Sequence, residues 1–202
     1  MLSLLVLLPF IGALIAACMP SGSRNRPAAV AGIVTLAALA LAIRAFGAVS
    51  TGEILRERHE WLPAFGLDLA LRMDGLAWVF TVMVLGIGLL VFLYARYYMS
   101  RRDPVARFFA YMLAFMGSML GVVLSGNLIQ LVIFWELTSV TSFLLIGYWQ
   151  HRNDARRGAR MAFTVTTIGG LCLLAGVLII GHIAGSYDLD TGELIWQCGG
   201  QV

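Results

Sequence analysis

Long apolar stretches, separated by short charged segments, run along most of the chain. A bilayer core about 30 Å thick needs roughly 20 apolar residues for each helical crossing, so each long stretch predicts one membrane-spanning helix. The predicted spans cover residues 2–18, 27–49, 75–95, 108–126, 128–149 and 161–184. This pattern predicts an all-α polytopic membrane protein with six transmembrane helices.

The first two spans carry the weakest signals. Residues 2–18 also resemble a signal peptide with a lipoprotein cleavage box at Ile15–Cys18, although no basic residue precedes the apolar run, as such a peptide requires. The second span contains Arg44 near its end, where a long side chain can reach the membrane interface. Both stretches are interpreted as spans, with the signal peptide as the alternative for the first.

The stretch from Phe108 to Trp149 is apolar for longer than one crossing requires. Its one turn signal is Ser125–Asn127, so a tight helical hairpin is predicted with its turn there. Gly117 and Gly121 lie four residues apart in the first arm, a spacing that permits the close approach of another helix.

A short β-strand is predicted just before the third span. Residues 67–74 alternate apolar with mostly polar positions, which is typical of a strand. Asp74 ends this segment, and because Asp is a preferred N-cap we expect it to cap the third helix. An ion path near the outer surface is the alternative role for its carboxylate.

The loops on the two sides of the predicted bundle differ in charge. The loops after spans one, three and five contain ten arginines and two acidic residues, whereas the other loops contain four arginines and eight acidic residues. Because basic loops stay in the cytoplasm, the N-terminus and the tail are predicted to lie outside a prokaryotic cytoplasmic membrane. Residues 1–184 then form one transmembrane domain, and residues 185–202 form an external tail that leads to downstream spans.

The composition excludes several classes of protein. Of the 202 residues, 60% are hydrophobic and 12% are charged, whereas soluble domains contain roughly 25% charged residues. The net charge of +3 comes from arginines spread over short loops, so it reports topology and does not predict nucleic-acid binding. Three separated cysteines and the lack of phosphate-binding, zinc or nucleophile motifs predict no metal, no cofactor and no enzyme.

One acidic residue of the eleven lies inside an apolar span. Glu136 is about 12 Å into a span about 33 Å long. A charged carboxylate there costs about 2.5–3.5 kcal/mol, so it normally faces a bundle interior or an aqueous cavity and indicates a functional site. We interpret Glu136 as a proton-binding residue. The alternatives are a structural glutamate paired with an arginine, or a neutral and hydrogen-bonded one.

Three hydroxyl residues follow this glutamate on the same helix. Ser139 lies three residues further on, hence on the same helical face, and is a possible accessory residue that could orient the carboxyl. Thr138 and Thr141 point elsewhere and are expected to bond to carbonyl groups of their own helix.

A set of motifs covers most of the chain. They are MDGL at residues 73–76, RFFAY at 107–111, NL at 127–128, FWELTS at 134–139 and SFLLIGYW at 142–149. Together they resemble the antiporter-like subunits shared by respiratory complex I and the Mrp cation/proton antiporters. Residues 116–125 and the FWELTS form are most similar to the A-type subunit of the Mrp antiporter. Complex I relatives tend to carry Arg and Asp in the sixth span where this chain has Thr167 and Gly170, a departure that favours the Mrp branch.

The resemblance implies sodium/proton exchange by a hetero-oligomeric complex in a lipid bilayer, with sodium ions, protons and the other subunits as partners. Glu136 matches the family's essential glutamate in the fifth span. The family places lysines of its proton relay in later spans, whereas this chain contains no lysine. The alternatives are a proton-translocating or membrane-anchor subunit of a complex I-like or hydrogenase-type redox complex, and a structural scaffold in which Glu136 is inert.

Overall fold

The computed structural model describes residues 1–20, 25–62, 67–99, 103–149 and 152–189. These residues form α1 (Leu2–Ala17), α2 (Asn25–Ser50), β1 (Leu55–Leu62), β2 (Leu67–Met73), α3 (Gly75–Tyr98), α4 (Val105–Leu124), α5 (Leu128–Ile146) and α6 (Asn153–Ala184). The six predicted helices are confirmed. The largest difference is at the start of α6, which begins eight residues before the predicted span because its charged first turns are helical without being apolar.

Within the described ranges, five helices are long and apolar enough to cross a membrane, namely α2, α3, α4, α5 and α6. The sixth helix, α1, has 16 residues. Its length of about 24 Å is shorter than a bilayer core of about 30 Å, so its crossing stays a prediction.

Helix α4 holds the bundle together, since it contacts α1, α2, α3 and α5, while α6 packs on α5. Its two predicted packing glycines are the points of closest approach. The ring of Phe10 on α1 lies over Gly117, and the ring of Phe134 on α5 lies over Gly121. Between helices in lipid, such van der Waals contact replaces the hydrophobic effect as the source of stability. The positions of α1 and α5 on α4 therefore depend on the absence of two side chains.

The loop before α3 is a two-stranded antiparallel sheet. Strand β2 confirms the predicted strand, but β1 was not predicted, and the loop therefore contains two strands where one was expected. The alternating pattern fails in β1 because Glu57 occupies a half-buried position that an apolar side chain would normally fill.

The sheet and the α4–α5 turn are joined at one end of the bundle. The amide of Gly126 donates to the carbonyl of Ala70 (2.8 Å), and the amide of Ala70 donates to Oε1 of Gln130 on α5 (2.9 Å). The chain after α6 joins the same end, because Nδ2 of Asn127 donates to Asp188 (3.0 Å). Of the predicted tail, residues 185–189 are described and residues 190–202 lie outside the described residues.

Glu57 explains how the first turn of α1 is capped from a distance. Its carboxylate accepts hydrogen bonds from the amides of Leu2 (2.6 Å) and Ser3 (3.3 Å) and from the N-terminal ammonium group (2.7 Å). Burial by itself would raise the pKa of Glu57, but hydrogen bonds from the ammonium group, Ser3 and His59 outweigh it and hold the pKa well below its usual range. The side chain thus ties β1 to α1 as an anion at a helix N-terminus.

We expect Glu57→Gln to lower the free energy of unfolding by about 1 kcal/mol, as loss of a helix cap typically does. Because the folded-state pKa is depressed, this contribution is present above about pH 4 and is lost as the pH falls further. Thermal unfolding of the detergent-solubilised protein at pH 7 and at lower pH measures it. The control is Glu53→Gln at an exposed position. An equal effect of both substitutions would contradict the capping role.

Candidate ion-binding site between α5 and α6

Helix α5 begins immediately after the α4–α5 turn, and its start is set by Asn127. The side-chain oxygen of Asn127 accepts hydrogen bonds from the amides of Ile129 (2.9 Å) and Gln130 (3.3 Å). An Asn at this position satisfies amides that have no partner within the helix. The cap fixes where α5 starts, and Glu136 follows about 12 Å further along the helix.

The Glu136 carboxyl points into the interface between α5 and α6. Its Oε1 atom is buried and has no hydrogen-bond partner among the described residues. It lies directly over Gly170 of α6, so that a side chain at Gly170 would overlap Oε1 and come within 2.8 Å of Cδ. None of the ion pairs between described residues involves Glu136. The part of the chain that the structure describes thus offers no support for the arginine-paired alternative.

The neighbouring hydroxyl groups are bonded to their own helix. Thr138 donates to the carbonyl of Trp135 (2.6 Å) and Thr141 to that of Leu137 (2.8 Å), as predicted. Ser139 is buried but also donates to Trp135, at 3.3 Å. Its hydroxyl is therefore engaged with the backbone in this conformation and does not bond to the glutamate.

A second buried hydroxyl at this interface was not singled out as a site residue from the sequence. Oγ1 of Thr167 on α6 is buried without a hydrogen-bond partner among the described residues. It lies one helical turn before Gly170. A lone threonine in an apolar run carries no pattern of its own, so only the packing of α6 on α5 reveals it.

A cavity of about 490 Å³ opens at the arginine-rich end of the same interface. Its lining residues are Tyr111, Phe143, Leu144, Gly147, Arg156, Ala159 and Arg160. Gly147 and Ala159 face each other there, because a Cβ atom placed at Gly147 would lie 3.6 Å from that of Ala159. The interface thus runs from a basic, partly open cavity to a buried carboxyl.

Asp74 has a different environment. Its carboxylate accepts a hydrogen bond from the amide of Ala77 (2.8 Å), which confirms the predicted cap of α3, and it lies 3.8 Å from Arg72. The cavity beside it has a volume of about 190 Å³, and none of its lining residues belongs to α5. Asp74 and Glu136 are therefore not brought together in one cavity. Among the described residues, no cluster of His, Cys, Asp and Glu could hold a metal ion.

Tyr148 follows α5 at the arginine-rich end. Burial and the negative charge of Asp103 raise the pKa of Tyr148 to about 12, with Arg107 acting in the opposite direction. The phenol ring packs edge-on against Phe108. Because this hydroxyl keeps its proton at neutral pH, Tyr148 is a packing residue and not a proton carrier.

Apolar membrane-spanning helices around a buried carboxyl define the class of this protein, a multi-pass helical membrane protein. Residues 61–109 match the family described as NADH-ubiquinone oxidoreductase (complex I), chain 5 N-terminus. Residues 125–199 match the family described as NADH:quinone oxidoreductase/Mrp antiporter, TM. The chain belongs to this family of antiporter-like subunits.

Its relatives are larger proteins. The chain is 55% identical over 191 residues to a probable K(+)/H(+) antiporter protein of the A/B type from Rhizobium meliloti (strain 1021), an alignment that covers 95% of this chain and 19% of the relative. It is 41% identical over 141 residues to the A-type protein of the Na(+)/H(+) antiporter from Alkalihalophilus pseudofirmus, with coverages of 69% and 18%. The chain thus spans about a fifth of the length of these relatives.

Solved structures show the same fold. A chain of the Mrp complex from Dietzia sp. DQ12-45-1b superimposes with a TM-score of 0.79 at 31% identity, covering 94% of this chain and 20% of that chain. A chain of respiratory complex I from Thermus thermophilus superimposes with a TM-score of 0.77 at 22% identity, covering 95% of this chain and 38% of that chain. The second likeness concerns the fold alone.

We expect Gly121→Ala to destabilise the protein by about 1–3 kcal/mol, as overpacking of a filled core does. The reason is that a Cβ atom at Gly121 would overlap the ring of Phe134, two residues before Glu136. The matched control is Gly86→Ala on α3, where a Cβ atom meets nothing within 4 Å. Thermal unfolding in detergent measures both variants. Equal stability of the two variants would contradict the close packing of α4 on α5.

Proposed function

We propose that the chain is part of a multisubunit monovalent cation/proton antiporter in a prokaryotic cytoplasmic membrane, and that Glu136 binds the transported proton. The observation that carries the proposal is the Glu136 carboxyl, which lies inside the helix bundle with Oε1 buried and without a partner among the described residues. The names of the relatives at 55% and 41% identity support the antiporter class. The proposed role is transport within a larger complex and not enzymatic catalysis.

The chemistry of a carboxyl in this position suits coupled exchange. A low-dielectric environment disfavours the charged form, so the group holds a proton until a positive charge approaches and favours the carboxylate. Arrival of a cation or a basic side chain would then release the proton, which links cation movement to proton movement. The carboxyl can perform this step without a metal or a cofactor.

Exchange across the whole membrane requires more than this chain. Ten of its eleven acidic residues lie in loops or at helix ends, and it has no lysine, so it offers one titratable carboxyl within the bundle. The apolar outer face of α6, which includes Ile168, Leu171 and Ile179, is suited to lipid or to neighbouring helices. We therefore assign exchange of sodium or potassium for protons to the complete complex, with other subunits as partners.

A component of a complex I-like or hydrogenase-type redox complex is the second candidate. The likeness to complex I supports the fold, at 22% identity. The antiporter is preferred because the relatives of higher identity carry antiporter names.

The proposed orientation places the sheet and the α4–α5 turn outside and the arginine-rich loops in the cytoplasm. In a variant without native cysteines, we expect Thr51→Cys to react with an impermeant thiol reagent added to intact cells. Asn153→Cys should react only after permeabilisation. Both positions are exposed, so access to the reagent is limited by the membrane alone. The reverse labelling pattern would overturn the orientation.

We expect Glu136→Gln to abolish cation/proton exchange by the assembled complex, because the amide keeps the shape of the side chain but cannot bind and release the proton. Glu136→Asp keeps the titratable group with a shorter reach, and should retain partial activity with a changed pH profile. Exchange is measured in membrane vesicles with a pH-sensitive dye and added Na⁺ or K⁺.

The control is Glu53→Gln, which removes an exposed carboxylate from the loop before β1. It should leave exchange unchanged. The content of each protein in the complex is checked by co-purification, so that loss of assembly is separated from loss of transport. Near-normal exchange by an assembled Glu136→Gln complex would disprove the proton-binding role.

A further inference from the structure

Helices α5 and α6 pack with one register along their shared interface. The rings of Phe143 and Phe163 lie against each other with centroids 5.2 Å apart. The Glu136 carboxyl lies over Gly170, seven residues before Phe143 on one helix and seven residues after Phe163 on the other. The two antiparallel helices therefore stay in step over the residues between these contacts.

This register places Thr167 level with Ser139, between the aromatic contact and the glutamate. Ser139 already donates its hydroxyl to the carbonyl of Trp135. The Thr167 hydroxyl has no hydrogen-bond partner among the described residues, although it is buried. It is thus the uncommitted hydroxyl at this level of the interface.

Two buried polar atoms without partners consequently lie on facing helices, Oε1 of Glu136 and Oγ1 of Thr167. Gly170, which lies beneath the carboxyl, is one turn or roughly 5 Å further along α6 than Thr167. In lipid no bulk water can satisfy such atoms, so leaving both unpaired is unfavourable. Rotation of the Thr167 side chain or one bound water would satisfy both atoms.

We propose that the Thr167 hydroxyl donates a hydrogen bond to the Glu136 carboxyl in the assembled complex, directly or through one water, and so positions it for proton exchange. The inference deepens the proposed function of Glu136 and rests on it. Thr167 is a positioning residue, and it lies on the side of the glutamate that leads to the cavity with Arg156 and Arg160.

Gly170 is the second requirement of this arrangement. The carboxyl occupies the space that a side chain at position 170 would fill. The adjacent Gly169 has open space, since a Cβ atom there meets nothing within 4 Å. Adding one methyl group at these two neighbouring positions therefore has different consequences for the glutamate.

The first test replaces the Thr167 hydroxyl by a methyl group in the complete complex. We expect Thr167→Val to reduce the rate of cation/proton exchange by about tenfold, the effect of losing one hydrogen bond to a charged group. Thr167→Ser keeps the hydroxyl and should restore most of the rate. The matched control is Thr166→Val, because Thr166 is exposed and donates to carbonyls of its own helix. Thr167→Val is close in shape to the native residue, and assembly is checked by co-purification.

The pH profile separates positioning from general damage. A hydroxyl that donates to the carboxylate favours its charged form, so Thr167→Val should move the alkaline limb of exchange upward by about one pH unit. Within α5 no other side chain titrates. The charged or titratable side chains of the adjoining helices, which every variant retains, are Arg107, Tyr111, Asp154, Arg156, Arg157, Arg160, Cys172 and His182.

The second test uses the glycine pair. We expect Gly170→Ala to reduce exchange at least as strongly as Thr167→Val, because the added methyl group displaces the carboxyl, whereas Gly169→Ala should retain exchange. If assembled Thr167→Val matches Thr166→Val in rate and pH profile, or Gly170→Ala matches Gly169→Ala, the inference is overturned. Should Glu136→Gln remain inactive in that case, the proton-binding role stands and its partner lies elsewhere. An active Glu136→Gln complex would overturn both.

Discussion

Water is absent from the hydrocarbon core of a bilayer, so a polar atom placed there depends on the protein for its partners. Most polar groups of this chain avoid the problem by lying at helix ends. Glu136 does not, and its position between α5 and α6 is possible because Gly170 leaves room for the carboxyl. The energetic cost of a buried carboxyl is what makes the group responsive, since small changes of nearby charge then decide whether it holds a proton.

The rest of the bundle keeps that carboxyl in place. Asn127 fixes the start of α5, and the contact of Phe134 with Gly121 fixes its distance from α4. On the other side of the carboxyl, α6 exposes an apolar face that suits lipid or a helical neighbour. Because the chain spans about a fifth of the length of its relatives, a carboxyl at the α5–α6 interface is well placed to interact with groups beyond this chain.

Much of the architecture follows from the sequence because a bilayer imposes a simple length rule on apolar runs. That rule predicted the six helices, the turn at Ser125–Asn127, and Glu136 as the acidic residue out of place. The cap at Asp74 and strand β2 also followed from local patterns. Strand β1 did not, because Glu57 interrupts the alternation in order to bind the N-terminus of α1, a contact between residues far apart in the chain.

The surroundings of Glu136 were decided by tertiary structure alone. Hydropathy reports how deep a residue lies in a span, but not which helix faces it or which atoms remain unpaired. The direction of the Ser139 hydroxyl, the space over Gly170 and the burial of Thr167 depend on the register of α5 against α6. That register is set by aromatic and glycine contacts between two apolar surfaces, whose sequences have no periodic pattern that would select one alignment over another. The sequence by itself thus determined which residue carries the chemistry, and the packing decided what surrounds it.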